Sequence, residues 1–268
     1  MKLLLLALLA CCLSCEKHID DRILVETSPP ILKQNFVHVN EVVNGYYSAL
    51  PSHYSETTNA YPLMIFFHGG GQYGNGGSDL PYILLEGVPE LLKDSLFPPS
   101  FNVDNRNYSF IIIAPQFTKQ PLPIQVLSMV NYMVKSYRVD TSRIYLIGFS
   151  EGGINATIAA AVYPYKYAAL IPIAGVPSNG DVTSICKNIA ESKLPLWVFH
   201  NNQDRLVDVR NARQFISLLN SFHPSIPPKY TEFLPFGLGN HDAWTHATDP
   251  SFKENGKNIY EWMLQYHR

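Results

Sequence analysis

The chain has 268 residues, of which 46% are hydrophobic and 16% charged, and its formal net charge is −2. These values describe a globular chain with material for one full core, and they exclude a disordered or collagen-like polymer. The near-neutral balance gives no reason to expect nucleic acid or an acidic membrane surface as a partner.

Residues 1–15 stand apart from the rest. Met1-Lys2 supplies positive charge, Leu3 to Leu9 an apolar stretch, and Ala10 to Cys15 small residues and thiols. That is the pattern of a signal peptide, too short to span a bilayer stably as a helix. Cys12-Leu13-Ser14-Cys15 resembles a relaxed bacterial lipobox, with Cys15 as the lipidated residue. Cys11, after Leu8-Leu9-Ala10, fits the same letters but leaves a very short signal, so Cys15 is preferred. The expectation is an exported lipoprotein of the cell envelope, held to the membrane by an N-terminal lipid; plain secretion is the alternative. Cys186 is the remaining thiol and has no histidine within a few residues, so it is read as structural. One thiol makes no intramolecular disulfide, and stability must come from the core.

Residues 16–34 are polar and contain Pro29-Pro30, which reads as a tether and leaves 35–268 as a single domain. Phe36 to Val39 and Tyr46 to Leu50 alternate on either side of Asn44-Gly45 and are expected to form a hairpin at an antiparallel sheet edge, with His38 and His53 facing solvent. Leu63 to Phe67 is a continuous apolar run, as in a strand covered on both faces, and it ends in His68-Gly69-Gly70-Gly71. A helical pattern over Asp79 to Asp94 is interrupted by Pro81, Gly87 and Pro89. Phe110 to Ala114 is a second buried strand. In Gln125 to Tyr137, Leu127, Val130, Val134 and Tyr137 share a helical face.

Ile144 to Ile147 leads into Gly148-Phe149-Ser150-Glu151-Gly152, and the small-residue run Asn155 to Val162 follows. Strand, G-x-S-x-G turn and helix are the context of a nucleophile elbow, which lifts the serine hydroxyl above a sheet at a helix N-terminus. Further strands are expected over Ala168 to Ile173, Pro195 to Phe199 and Tyr230 to Leu234, with helices over Asp208 to Asn220 and Asn255 to Tyr266. Alternating strands and helices imply an α/β fold: a mostly parallel, doubly wound sheet with an antiparallel N-terminal edge. Only about twenty residues, Gly175 to Leu194, are available where a lid could be inserted, so an open cleft is expected.

A serine hydroxyl needs a base to take its proton and a carboxylate to orient that base. The order Ser, then Asp or Glu, then His, each after a strand, selects the partners. Asp204 follows the strand ending at Phe199, whereas Asp208 falls where a helix begins and is better explained as an N-cap. His241 follows the last strand in a glycine-bearing loop; His246, His223 and His267 are misplaced for the role. A tetrahedral intermediate also needs N–H donors for its oxyanion. The Glu151 amide is one, and the second is expected from the glycine loop, at Gly70 with Gly71 as runner-up. No G-K-[ST] follows Gly69 to Gly77, which removes a phosphate loop, and His200, Asp204, His241 and His246 lack metal-ligand spacing, so neither metal nor cofactor is expected.

With these motifs in place, the sequence resembles the α/β-hydrolases, and within them the bacterial predicted-peptidase and esterase group related to phospholipase/carboxylesterase and feruloyl-esterase-like proteins. The likeness runs from about Gly45 to the C-terminus, over Pro62 to Gly71, Ala114-Pro115-Gln116, Tyr137 to Asp140, the elbow, Trp197 to Asp204 and His241 to Trp244. It implies Ser150, Asp204 and His241 as a triad and suggests Gln116 and Trp244 near the substrate pocket. Glu151 stands where methionine is common in that group, and Asn201-Asn202 where a glycine turn is common. The expected activity is cleavage of small-molecule or polysaccharide-borne carboxylic esters. A serine peptidase of prolyl-oligopeptidase-like type and a non-catalytic envelope binding protein are the alternatives. The sequence leaves the oligomeric state open.

Overall fold

The computed structural model describes residues 25–234 and 240–268. The expected leader, with Cys11 and Cys15, lies outside these residues, as do residues 16–24 of the expected tether. In chain order the strands are β1 (Ile31–Asn35), β2 (Val43–Leu50), β3 (Tyr61–Phe67), β4 (Phe101–Val103), β5 (Arg106–Tyr108), β6 (Ile111–Phe117), β7 (Val139–Phe149), β8 (Ala169–Ile173), β9 (Trp197–Asn201) and β10 (Lys229–Phe233). The helices are α1 (Gly87–Lys93), α2 (Pro123–Ser136), α3 (Glu151–Val162), α4 (Val182–Glu191), α5 (Val209–Ser221), α6 (Trp244–Thr248) and α7 (Ile259–Met263). Eight strands form one sheet in the order β1-β2-β6-β3-β7-β8-β9-β10, and β4 and β5 pair as a separate ribbon.

From β6 to β10 every pairing in the large sheet is parallel; β1 with β2 and β2 with β6 are antiparallel. The expected doubly wound sheet with an antiparallel edge is therefore present. Its central strands bury both faces, because successive side chains point to opposite sides. Leu63, Ile65 and Phe67 of β3 join a core layer with α2, α3, α4 and α5, while Met64 and Phe66 join the opposite layer with α1, α6 and α7.

Several expectations are corrected. Residues 31–34, assigned to a tether, form β1 together with Asn35, paired in register with Tyr46 to Leu50. Glu26, also in that stretch, is buried and accepts hydrogen bonds from the Ser52 hydroxyl and the His53 amide. Phe36 to Val39 is not a strand, and Asn44-Gly45 lies inside β2. His38 is exposed, whereas His53 is half-buried with its ring 2.8 Å from the Glu26 carboxylate. On α2 the buried stripe is Val126, Met129, Val130 and Met133, with Leu127, Val134 and Tyr137 only partly buried. Residues 79–94 split into a 3-10 turn, Leu80–Leu84, and α1, whose first residue, Gly87, takes a φ of +66° and turns the chain. The stretch 175–194 contributes no lid: α4 lies in it and buries Cys186, Ile189 and Ala190 in the core. Burial pushes the Cys186 thiol up to about 12, which suits the inert structural role expected of it.

Candidate active site

The parallel strands end level with one another. Phe149 pairs with Ile173, Ile173 with Phe199, and Asn201 with Phe233, so the segments leaving β7, β8, β9 and β10 emerge along one edge of the sheet. Ser150 leaves β7 with φ +52° and ψ −126°, a left-handed conformation that a non-glycine residue adopts only when its surroundings impose it. The Ser150 amide donates to Ile173 O at 2.8 Å, which pins the turn to β8. Glycine is obligatory two residues on: a Cβ at Gly152 would collide with the backbone oxygens of Phe67 and His68, where α3 crosses the end of β3.

Ser150, Asp204 and His241 converge here. Ser150 Oγ lies 2.9 Å from His241 Nε2, and His241 Nδ1 lies 2.6 Å from Asp204 Oδ2. The aspartate's other oxygen, Oδ1, accepts from the amides of Leu206 and Val207, both at 2.9 Å. Burial pushes the Asp204 carboxyl up, but donors from His200, His241, Val207 and Leu206 outweigh it and hold the group well below the usual carboxylate range. An ionised Asp204 requires the proton on His241 Nδ1, which leaves Nε2 as the acceptor facing the serine hydroxyl. Asp208 is instead the N-cap of α5, accepting from the Arg210 amide at 2.9 Å. His246 belongs to α6 with its ring 5.3 Å from that of Phe233, and His223 sits in the turn after α5.

Trp244, expected near the pocket, is 8% exposed and backs the imidazole: its ring stands edge-on to His241 at 5.2 Å and packs on Phe149 at 4.4 Å. Gln116 behaves differently from expectation. It is fully buried and its amide donates to Gln72 O at 3.1 Å and Asp79 O at 2.8 Å, while its oxygen accepts from the Gly76 amide at 2.9 Å. Both its donors are committed, so Gln116 fastens the loop after β3 and offers no proton to a substrate.

That loop carries the expected oxyanion glycines. His68, 3% exposed, is 2.7 Å from Gly69 O through Nδ1 and accepts from the Phe117 amide through Nε2 at 2.9 Å. Since Nε2 must be the acceptor, His68 is neutral with its proton on Nδ1, and burial drives it down to about 4 against the opposing pull of the Gly69 bond. Gly70 opens a 3-10 turn, Gly70–Gln72, beside the start of α3, where the Glu151 amide precedes the first intrahelical bonds. A Cβ at Gly70 would collide with the Glu151 carboxylate, so the two segments touch.

Three neighbours had no role assigned from sequence. His200 is fully buried; its Nε2 is 2.9 Å from Val207 O and 3.3 Å from Asp204 Oδ2. Asn201 Nδ2 donates to Asn240 O at 3.1 Å. The Tyr73 hydroxyl donates to Glu151 Oε1 at 2.7 Å. The replacement of a glycine turn by Asn201-Asn202 was the one available signal for the second. Among the described residues, no group of three or more His, Cys, Asp or Glu is arranged to hold a metal.

Residues 123–232 match the family described as Phospholipase/Carboxylesterase, a span that takes in Ser150 and Asp204 and stops short of His241. Acetylxylan esterase A of Emericella nidulans is 40% identical over 54 residues, covering 20% of this chain and 18% of that enzyme. The chain thus spans less than a fifth of that relative's length. Among solved structures, a thermostable esterase aligns with a TM-score of 0.59 at 22% identity, over 90% of this chain and 64% of the other. A fluorophosphonate-binding serine hydrolase of Staphylococcus aureus aligns with a TM-score of 0.61 at 14% identity, over 88% of this chain and 99% of the other. The fold is that of the α/β-hydrolases.

Proposed function

We propose that this α/β-hydrolase-fold chain is an exported serine hydrolase that cleaves carboxylic esters through an acyl-enzyme. The observation that carries the reading is the continuous Ser150–His241–Asp204 hydrogen-bonded series, with separations of 2.9 and 2.6 Å. Ser150 Oγ attacks the ester carbonyl carbon as His241 Nε2 takes its proton, and Asp204 stabilises the imidazolium without being protonated. The amides of Gly70 and Glu151 receive the carbonyl oxygen as it gains charge. Collapse breaks the bond to the alcohol, which leaves with the proton from His241. Water, deprotonated by the same imidazole, then releases the acid and restores Ser150.

The substrate class proposed is a soluble or polysaccharide-borne ester, such as an acetylated or feruloylated glycan. Support comes from the acetylxylan esterase likeness and from the absence of a lid domain among the described residues, where the segment that could have carried one is packed in the core as α4. The N-terminal leader and Cys15 anchor complete the proposal, placing the enzyme in the cell envelope.

The experiment compares an aryl acetate, a feruloyl ester and a peptide anilide as substrates, with fluorophosphonate labelling of the wild type and of Ser150→Ala. Ester turnover well above anilide turnover, and labelling lost in Ser150→Ala, are expected. Faster anilide turnover would replace the esterase by a peptidase. Absence of labelling and turnover in the wild type would leave a binding protein on a hydrolase scaffold.

A further inference from the structure

The Glu151 carboxylate has no part in the chemistry above, yet it occupies a singular place. Its Oε1 accepts the Tyr73 hydroxyl at 2.7 Å, and its Oε2 fills the space where a side chain at Gly70 would project. Tyr73 follows directly on the 3-10 turn that begins at Gly70, whereas Glu151 opens α3. One side chain therefore spans the gap between the two segments that supply the oxyanion amides. The link continues inward: Asn155 Nδ2, from the next turn of α3, donates to the Tyr73 hydroxyl at 3.2 Å, and Gln120 Nε2 donates to Asn155 Oδ1 at 3.3 Å. Asn155 is 4% exposed, so the link passes through the interior before it reaches the exposed Gln120.

We propose that Glu151 is a positioning residue whose carboxylate, through the Tyr73 hydroxyl, clamps the Gly70 loop to the start of α3 and sets the separation of the two oxyanion donors. The proposal rests on the esterase reading, since it assigns those amides their task. Its physical basis is that oxyanion stabilisation depends on donors already aimed at the place where charge develops, with no reorganisation left to perform. Two amides on separate segments keep that geometry only if something fixes one segment to the other. The backbone of Gly70 has no side chain to do so, and the Glu151 carboxylate supplies the contact from across the gap. A carboxylate beside a developing oxyanion carries an electrostatic cost, which donation from Tyr73 offsets. Burial, followed by the bond to Glu151, raises the Tyr73 hydroxyl above its ordinary range and keeps it a donor throughout the working pH range. Glu151 also replaces the methionine common in the sequence group, so the clamp is a feature this chain does not need to share with its relatives.

The test measures kcat and KM on an aryl acetate, and inhibition by phenylboronic acid, whose adduct with Ser150 mimics the tetrahedral intermediate, for Glu151→Met, Glu151→Gln, Tyr73→Phe and the Glu151→Met/Tyr73→Phe double variant. Loosening the donors costs less than deleting one, so Glu151→Met and Tyr73→Phe should each lower kcat about tenfold with KM within about twofold. The inhibition constant should rise in parallel. Glu151→Gln should recover most of the loss, because its amide oxygen still accepts from Tyr73. The double variant should be no slower than the slower single variant, since both cut one link. Unchanged kcat in Glu151→Met, a Glu151→Gln variant as slow as Glu151→Met, or multiplicative losses in the double variant would each overturn the clamp. Tyr73→Phe removes one hydroxyl from a half-buried ring and keeps the fold, so the test survives a poorly folding Glu151→Met. Normal labelling and ester turnover in the wild type with unimpaired variants would remove the clamp alone; a wild type inert to esters would remove the esterase reading with it.

Discussion

The side-chain amide of Asn201 donates to the backbone carbonyl of Asn240 at 3.1 Å, joining the strand that leads to Asp204 to the residue before His241. Asn201 is the last residue of β9 and is 1% exposed. The segments carrying Asp204 and His241 are thus tied by a side-chain bond. Asn201→Ala removes the donor and leaves a carbonyl unpaired, a loss of about 1–3 kcal/mol. Freed from its tether, the His241 loop should misalign the imidazole, lowering kcat about ten- to a hundredfold with a smaller change in KM. Urea unfolding and steady-state kinetics on the same preparation check both.

Asp204 makes two kinds of contact, and Asp204→Asn separates them. An asparagine oxygen in the place of Oδ1 still accepts from the Leu206 and Val207 amides, so the loop after β9 should hold. The amide nitrogen then faces His241 Nδ1 and favours the wrong tautomer, with the proton on Nε2. By the behaviour of such triads kcat should fall about four orders of magnitude while the melting temperature moves little. A large fall in melting temperature would mean that the loop, rather than the tautomer, was lost.

The elbow tolerates no side chain at residue 152. Its Cβ would meet backbone oxygens of Phe67 and His68, which cannot rotate away as a side chain could. Gly152→Ala is therefore expected to cost about 3 kcal/mol by overpacking. Gly180, with φ +77° and open space where its Cβ would lie, isolates the backbone effect alone. Gly180→Ala should cost about 1 kcal/mol. Denaturant midpoints of the two variants, read against wild type, give the comparison.

The central sheet was legible because β3, the first half of β6 and the second half of β7 carry continuous apolar runs, and a strand buried on both faces leaves that pattern directly in the sequence. The order Ser150, Asp204, His241 was legible because Ser150 and Asp204 each follow a buried strand and His241 follows the last strand, β10, which is only partly buried. Gly45 misled for a physical reason. It lies inside β2, where a Cβ would collide with Gly76 O, so the glycine marks a close approach of two backbones and not a hairpin turn. The edge strand β1 was missed because Ile31–Asn35 has one apolar pair followed by polar residues, and its partner lies beyond a seven-residue connection. The terminal helix was drawn too long: Gly256, at φ +80°, turns the chain just before Asn258 caps α7 through the Glu261 amide. Gln116 and Tyr73 found their partners tens of residues away, and such pairings leave no local signal.

His68 gives the fold an acid limit with a defined window. Its imidazole is buried and neutral, accepting from the Phe117 amide, and lies far below the ordinary histidine value, at about 4. In the unfolded chain the same group takes up a proton near pH 6.5, so the unfolded state binds more protons between about pH 6.5 and 4. The stability His68 contributes is therefore complete above about pH 6.5 and declines as pH falls toward about 4, by up to about 3 kcal/mol. Protonation also removes the acceptor for Phe117 N, releasing the start of the Gly70 loop. Activity should thus decline as the loop is released on exposure near pH 4. His68→Gln keeps an acceptor but cannot titrate, so its unfolding free energy should be lower at neutral pH and flatter between pH 6.5 and 4 than that of the wild type. Urea melts across that range make the measurement; parallel slopes for the two proteins would assign the acid limit to another group.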